Sequence, residues 1–130
     1  MITTSKPVVG FVVGVGTNIV IDTIPVHGLC QIVVDIDVTA ITGAPSIVFS
    51  LLNEDADLFN GEASTGPSTA VTKPDGTTAI DTAAITATGM VRLFAPYPAN
   101  CKDAVAICAT NNVAATSATV TVSYTIVEVV

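Results

Sequence analysis

Charged residues and histidine are scarce in this chain, and each shortage argues against a class of function. Only 12% of the 130 residues are charged, and four Lys and Arg against eleven Asp and Glu give a net charge of -7. Such a surface repels a phosphate backbone, so we do not expect nucleic acid as a partner. No apolar run approaches the roughly 18 residues of a membrane span, so we do not expect a membrane partner either.

The single histidine, His27, limits the chemistry that the side chains can perform. A Ser-His-Asp or Cys-His arrangement would have only this base, which lies between Pro25 and Gly28 in a predicted turn. A zinc site would need cysteines or carboxylates from distant parts of the sequence, and the sequence contains no characteristic spacing of zinc ligands. We therefore predict no catalytic residues, no metal site and no cofactor.

Three cysteines, Cys30, Cys101 and Cys108, are too few and too scattered for a disulfide framework. We interpret them as buried thiols that act as small hydrophobic side chains. Residues 1–6 are polar, and the apolar run that follows has no signal-peptide cleavage pattern. Both observations predict synthesis in a reducing cytoplasm.

One acidic cluster resembles the start of a calcium loop, with Asn53, Asp55 and Asp57 at alternate positions. The match fails at the sixth position, which is Leu58 instead of Gly, and at the twelfth, which is Ser64 instead of Glu. A solvated loop is therefore favoured over a weak calcium or magnesium site.

Glycines near the start of the chain do not form a nucleotide-binding loop. Gly10, Gly14 and Gly16 match neither G-x-G-x-x-G nor a Walker pattern, and no helical pattern follows them. They are typical of bends or bulges in an edge strand. Asp35 and Asp37 share one face of a predicted strand, where we expect them to keep that face wet.

β-Branched residues recur with a period of two along the chain, and good helix formers are scarce, which predicts an all-β fold. The clearest strand covers residues 29–41, with alternate apolar residues on one face: Cys30, Ile32, Val34, Ile36 and Val38. Residues 118–128 repeat the pattern, and shorter strands are predicted at 8–15, 18–24, 46–52, 80–87, 90–95 and 104–110. Seven or eight short strands favour a single-domain antiparallel β-sandwich or jelly roll.

Two parts of the chain differ from this pattern. Residues 1–27 are predicted to be an apolar N-terminal arm or edge strands, attached to a sandwich domain at 28–130. Residues 60–78 are rich in Gly, Ser, Thr and Pro, and they predict a long exposed loop. Such a loop either orders on contact with a partner or has no role.

Hydrophobic residues make up 50% of the chain, and the mean hydropathy is +0.70. A lone domain of this size hides only about two-thirds of its unfolded surface, so part of this apolar stock is expected to face a partner. The apolar runs near the two ends are either buried strands or arms that pair with a neighbouring subunit's sheet edge. The interface candidates are Val8, Val9, Phe11, Val12, Val13, Val127, Val129 and Val130.

The order of strands and turns resembles the small β-sandwich virion proteins of tailed bacteriophages, especially head-decoration or cement proteins. The resemblance lies in VDIDVTAITG at 34–43, APSIVFSL at 44–51, GMVRLFAPYP at 89–98 and ATVTVSY at 118–124. It covers roughly residues 29–127. The N-terminal apolar run and the 60–78 loop depart from it and leave open whether the protein belongs to the head, a vertex or the tail.

This resemblance implies a non-enzymatic structural protein that is made in the host cytoplasm and bound to the capsid surface of the virion. Its expected partners are the major capsid protein and further copies of itself, with a trimer favoured. The alternative is a head-spike or tail adhesin module that binds a host-surface glycan. In that case Tyr97 is the loop aromatic residue suited to stacking on a sugar.

Overall fold

The computed structural model describes residues 2–26, 29–54, 67–100 and 104–128, and these residues form an all-β sandwich. This confirms the expected fold class, with nine strands in the described part of the chain. They are β1 (Ile2–Thr4), β2 (Val8–Val13), β3 (Gly16–Pro25), β4 (Cys30–Thr42), β5 (Ile47–Glu54), β6 (Pro67–Ala70), β7 (Gly89–Pro96), β8 (Ala104–Asn111) and β9 (Ser117–Glu128).

Two antiparallel sheets make up the sandwich. The first has the order β1-β9-β4-β7, and β2 also pairs with β9. The second has the order β3-β8-β5-β6. Since β1 and β2 pair with successive stretches of β9, they form one interrupted edge of the first sheet. Residues 2–25 thus supply edge strands to both sheets.

The core lies between the sheets and consists of the alternate residues that the period-two pattern predicted. In β4 the burial alternates strictly from Cys30 to Val38, and in β5 the residues Ile47, Phe49 and Leu51 are buried. Complete burial of such a side chain contributes about 1.5–3 kcal/mol to stability. Phe49 has the largest side chain among the fully buried residues that the structure describes, so β5 contributes much of this packing.

β8 is buried on both of its faces. Val105 and Ile107 face the main core, and Ala106 and Cys108 are also fully buried and pack with Leu52 in a second, smaller cluster. Burial, and to a lesser extent the charge of Glu54, raises the pKa of the Cys108 thiol to about 12. A central strand that is buried on both faces reads as a continuous apolar run, which hides its alternation.

The prediction of a strand at 80–87 is wrong, because this segment forms only isolated bridges to β5. These bridges join Ile85 to Ile47 and Asp81 to Ser50. Between them, the Thr82 hydroxyl accepts a hydrogen bond from the Phe49 amide at 3.1 Å, while the Thr82 amide donates to the Phe49 carbonyl. A hydroxyl that takes a backbone partner in this way interrupts the regular ladder.

The long exposed loop predicted at 60–78 is interrupted at residues 67–72 by a strand and two buried residues. Residues 67–70 form β6, and Val71 is fully buried in the core. The Val71 amide donates to the Leu51 carbonyl at 3.0 Å, which holds this segment against β5. An exposed turn follows at 73–78, in agreement with the predicted loop, whereas residues 60–66 lie outside the described part.

Candidate interaction surface

β2 lies at the edge of the first sheet and exposes two of the predicted interface residues. Val9 is 76% exposed and Val12 is 61% exposed, on the outer face of the sheet. Val12 pairs with Thr119 of β9, which lies on the same outer face. Such large exposure of neighbouring valines is unusual for an edge strand without a partner, because water solvates them poorly.

A bulge at Gly10 decides which residues of β2 face the core. The pairing with β9 shifts register between Val8 and Phe11, and Gly10 has a φ of +70°. The extra residue lets both Val8 and Phe11 point inward, although a regular period of two would place them on opposite faces. Both are partly buried against the core. This matches the bulge that the early glycines predicted.

Val13 was a wrong choice as an interface residue. Its side chain is fully buried and belongs to the protein's own core, since it pairs with Ala118 on the inner face of β9. Val8 and Phe11 are half-buried and contribute mainly to that core. Val127 is 37% exposed and stays a candidate. Val129 and Val130 lie outside the described residues.

Ile2 belongs to the same surface and was missed from the sequence. It is 69% exposed and pairs directly with Val127, so their side chains lie together on the outer face. The short strand around it has no visible alternation, because Thr3 and Thr4 follow it. We define the apolar edge as Ile2, Val9, Val12 and Val127.

The backbone of the apolar edge is also available for pairing. In the structure as described, β1 and β2 pair with β9 alone, so their outer side has no strand beside it. No charged residue occurs in β2. Lys6 and Pro7 separate the two strands and are the kind of residues that limit uncontrolled edge pairing.

The middle of the outer face of the first sheet is polar. β9 presents Ser or Thr at every outward position from Ser117 to Thr125. Next to it, the Arg92 Nε donates to the Asp35 carboxylate at 2.7 Å, and this hydrogen bond and the carboxylate charge raise the pKa of Arg92. Asp35 and Asp37 therefore lie on a wet face, as predicted.

Tyr97, the proposed sugar-stacking residue, lies in the turn after β7. Its side chain is 40% exposed, and its φ of +47° is a strained conformation for a residue with a Cβ. The Tyr97 amide donates to the Cys30 carbonyl at 3.0 Å. Farther along the turn, the Asn100 side chain accepts a hydrogen bond from the Thr72 amide at 2.9 Å.

The polar candidates that the structure describes are buried in the fold or hydrogen-bonded within it. Asn53 is buried and donates to the Asn100 carbonyl at 2.9 Å, while the carboxylate of Glu54 accepts a hydrogen bond from Thr23. Cys30 and Cys108 are buried, as predicted. The remaining polar candidates lie outside the described residues: His27, Cys101, Asp55, Asp57 and Ser64. Within the described ranges, no three His, Cys, Asp or Glu side chains come together as metal ligands.

Comparison with known proteins gives no further assignment. Among the residues that the structure describes, no helix has the length and apolar character needed to cross a membrane. No protein family model, no curated protein and no solved structure matches the chain.

Proposed function

We propose that this chain is a non-enzymatic virion structural protein that associates with itself and binds the outside of a phage capsid. The observation that carries the proposal is the apolar edge, whose valines Val9 and Val12 are largely exposed on an uncharged strand. The rest of the chain has a net charge that would keep copies apart. Contact between subunits is therefore most favourable where that charge is absent.

The mechanism needs no covalent chemistry. A strand from a neighbouring subunit adds to the free side of β2, so that backbone hydrogen bonds set the register and the valines lose contact with water. Removal of apolar surface contributes roughly 25 cal/mol per Å², and a standard interface buries about 1,600 Å². Several such contacts around one capsid joint would hold adjacent capsid subunits together.

The expected partners are the major capsid protein and other copies of this chain. The remaining surface carries the net negative charge and would face solvent, so decorated particles of like sign would stay dispersed. The sequence resemblance to head-decoration proteins supports the location on the capsid surface.

Co-sedimentation with purified empty heads tests the proposal. We expect the wild-type protein to pellet with the heads and to raise the temperature at which they rupture. A Val12→Lys variant should lose both effects, and Met90→Lys, which changes an exposed residue on the far edge strand, should keep them. A protein that stays monomeric at millimolar concentration and leaves the heads unbound would refute the assignment.

A glycan-binding adhesin is the second candidate, and the strained backbone at Tyr97 favours it. Strain of this kind is concentrated at functional sites, and the Tyr97 ring is accessible. Hydrogen bonds from Thr72 to Asn100 also join the turn after β7 to the described end of the 60–78 segment. A glycan array on which a Tyr97→Ala variant binds as strongly as the wild type would remove this candidate.

A further inference from the structure

A cleft of about 250 Å³ opens between β7 and the segment that follows β6, on the side of the sandwich away from the apolar edge. Its floor includes Ile80 and Leu93, two core residues that are almost completely buried. Around this floor lie three charged side chains, Lys73, Asp81 and Arg92. An apolar floor with a few convergent polar groups is the usual composition of a ligand site.

Neighbouring residues hold part of the cleft wall in place. The Arg92 Nε donates to Asp35 at 2.7 Å, which orients the guanidinium group. The turn that carries Lys73 and Thr78 is closed by a hydrogen bond of 2.8 Å from the Lys73 amide to the Thr78 carbonyl. Asp75 accepts a further bond of 2.9 Å from the Thr78 amide. A ligand would therefore meet groups that need little further ordering.

The balance of charge around the cleft favours a neutral ligand. Lys73 and Arg92 are positive, whereas Asp81 in the cleft, Asp35 on Arg92 and Asp75 in the adjoining turn are negative, so the site has no excess of positive charge. An anion or an acidic peptide would be repelled by at least as many charges as attract it. A ligand rich in hydroxyl groups suits the site, because a hydroxyl can donate to the carboxylate of Asp81 and accept from Lys73 or Arg92.

An aromatic side chain completes the site. Phe94 lines the cleft and is 48% exposed, which leaves part of its ring available for stacking. The weakly polar C–H face of a sugar ring packs on an aromatic ring, while its hydroxyls reach the surrounding charges. The cleft is smaller than the roughly 300–1,000 Å³ of pockets for drug-sized ligands, which fits a single ring rather than a long chain segment.

We propose that this cleft binds one ring of a neutral saccharide, with Phe94 as the stacking platform and Asp81, Arg92 and Lys73 as hydrogen-bonding partners. The proposal does not depend on binding to a capsid. It also differs from the Tyr97 alternative, because Tyr97 does not line the cleft.

An array of neutral and acidic glycans from bacterial and animal surfaces is the first test, and the neutral glycan with the strongest signal is then titrated by calorimetry. We expect Asp81→Ala and Phe94→Ala each to weaken its binding by about tenfold or more. Met90→Ala is the matched control, since Met90 is exposed on the same strand and does not line the cleft. It and Tyr97→Ala should change the affinity by less than about twofold.

Asp81 is exposed, so its substitution keeps the proposal testable if Phe94→Ala fails to fold. Amide chemical-shift changes on titration of the labelled wild type should centre on residues 78–81 and 92–94. A blank array, a signal on acidic glycans only, or neutral-glycan binding that survives both cleft substitutions would overturn the proposal. Loss of binding in Tyr97→Ala alone would overturn it in favour of the turn after β7.

Discussion

Replacing both exposed valines of β2 by lysine should dissociate the assembled protein without unfolding the subunit. Val9 and Val12 are 76% and 61% exposed, so polar side chains at both positions would be solvated in the folded monomer. Surface substitutions of this type usually change the free energy of unfolding by less than about 0.5 kcal/mol. The effect should therefore appear in association and not in the stability of the fold.

The size of the effect follows from the area that is still exposed. Complete burial of a valine side chain is worth about 1.5–3 kcal/mol, and the exposed fractions of Val9 and Val12 represent about 2–4 kcal/mol of this for each copy. The loss corresponds to a dissociation constant roughly 30 to 1,000 times weaker. Burying an unpaired lysine charge adds a further penalty of the same sign.

Sedimentation velocity over a wide range of protein concentration measures this change. The V9K/V12K variant should remain monomeric at concentrations where the wild type is assembled, and its thermal unfolding temperature should be close to that of the wild type. Met90→Lys is the matched control, because Met90 is 69% exposed on the opposite edge of the same sheet. The reasoning is refuted by a wild type that is monomeric throughout, or by a double variant with unchanged association.

Three further predictions concern the fold. Phe49→Ala removes a fully buried side chain and should lower the free energy of unfolding, measured in urea, by about 3–5 kcal/mol. Phe94→Ala removes a half-exposed side chain and should lower it far less. Equal decreases for the two variants would contradict the assignment of Phe49 to the core. Burial raises the pKa of Cys108 from 9.0 to about 12, so the thiol's contribution to stability is complete below pH 9 and is lost as the pH rises toward 12. In urea titrations at alkaline pH, the free energy of unfolding should fall more steeply for the wild type than for Cys108→Ala. Parallel curves would count against burial of the thiol. Hydrogen bonds from Thr78 lower the pKa of Asp75 from 3.8 to about 2, so the contribution of these bonds to stability is present above pH 3.8 and is lost as the pH falls toward 2. An NMR titration of the Asp75 carboxyl should therefore have its midpoint near 2. A midpoint near 3.8 would exclude the turn geometry.

The two proposed binding surfaces are compatible because they lie at opposite edges of one sheet. β1 and β2 form one edge of the first sheet, and β7 forms the other. A subunit that joins its neighbours through the apolar edge therefore leaves the cleft beside β7 open. Assembly and saccharide binding can then be tested separately on the same protein, and V9K/V12K should keep the wild-type affinity for a cleft ligand.

Part of the interaction surface could be predicted from the sequence, and part could not. The apolar run at the start of the chain is visible in the sequence, and two of the interface candidates chosen from it, Val9 and Val12, are exposed. Val13 was not separable from them, because the bulge at Gly10 changes which residues face inward, and that depends on the register with β9. Ile2 was missed because its apolar neighbour, Val127, is at the other end of the chain.

Local pattern by itself determined that the chain is all-β and which alternate residues of β4, β9 and the first part of β5 face the core, since alternation is a property of neighbouring residues and survives in any sheet. Tertiary structure alone decided the order of the strands, the burial of both faces of β8 and the replacement of a predicted strand at 80–87 by isolated bridges. The cleft belongs to this second group, because Asp81 and Arg92 meet only through the packing of two sheets. Pairing between distant strands depends on which edges come together in space, and a sequence read residue by residue carries no local signal of that choice.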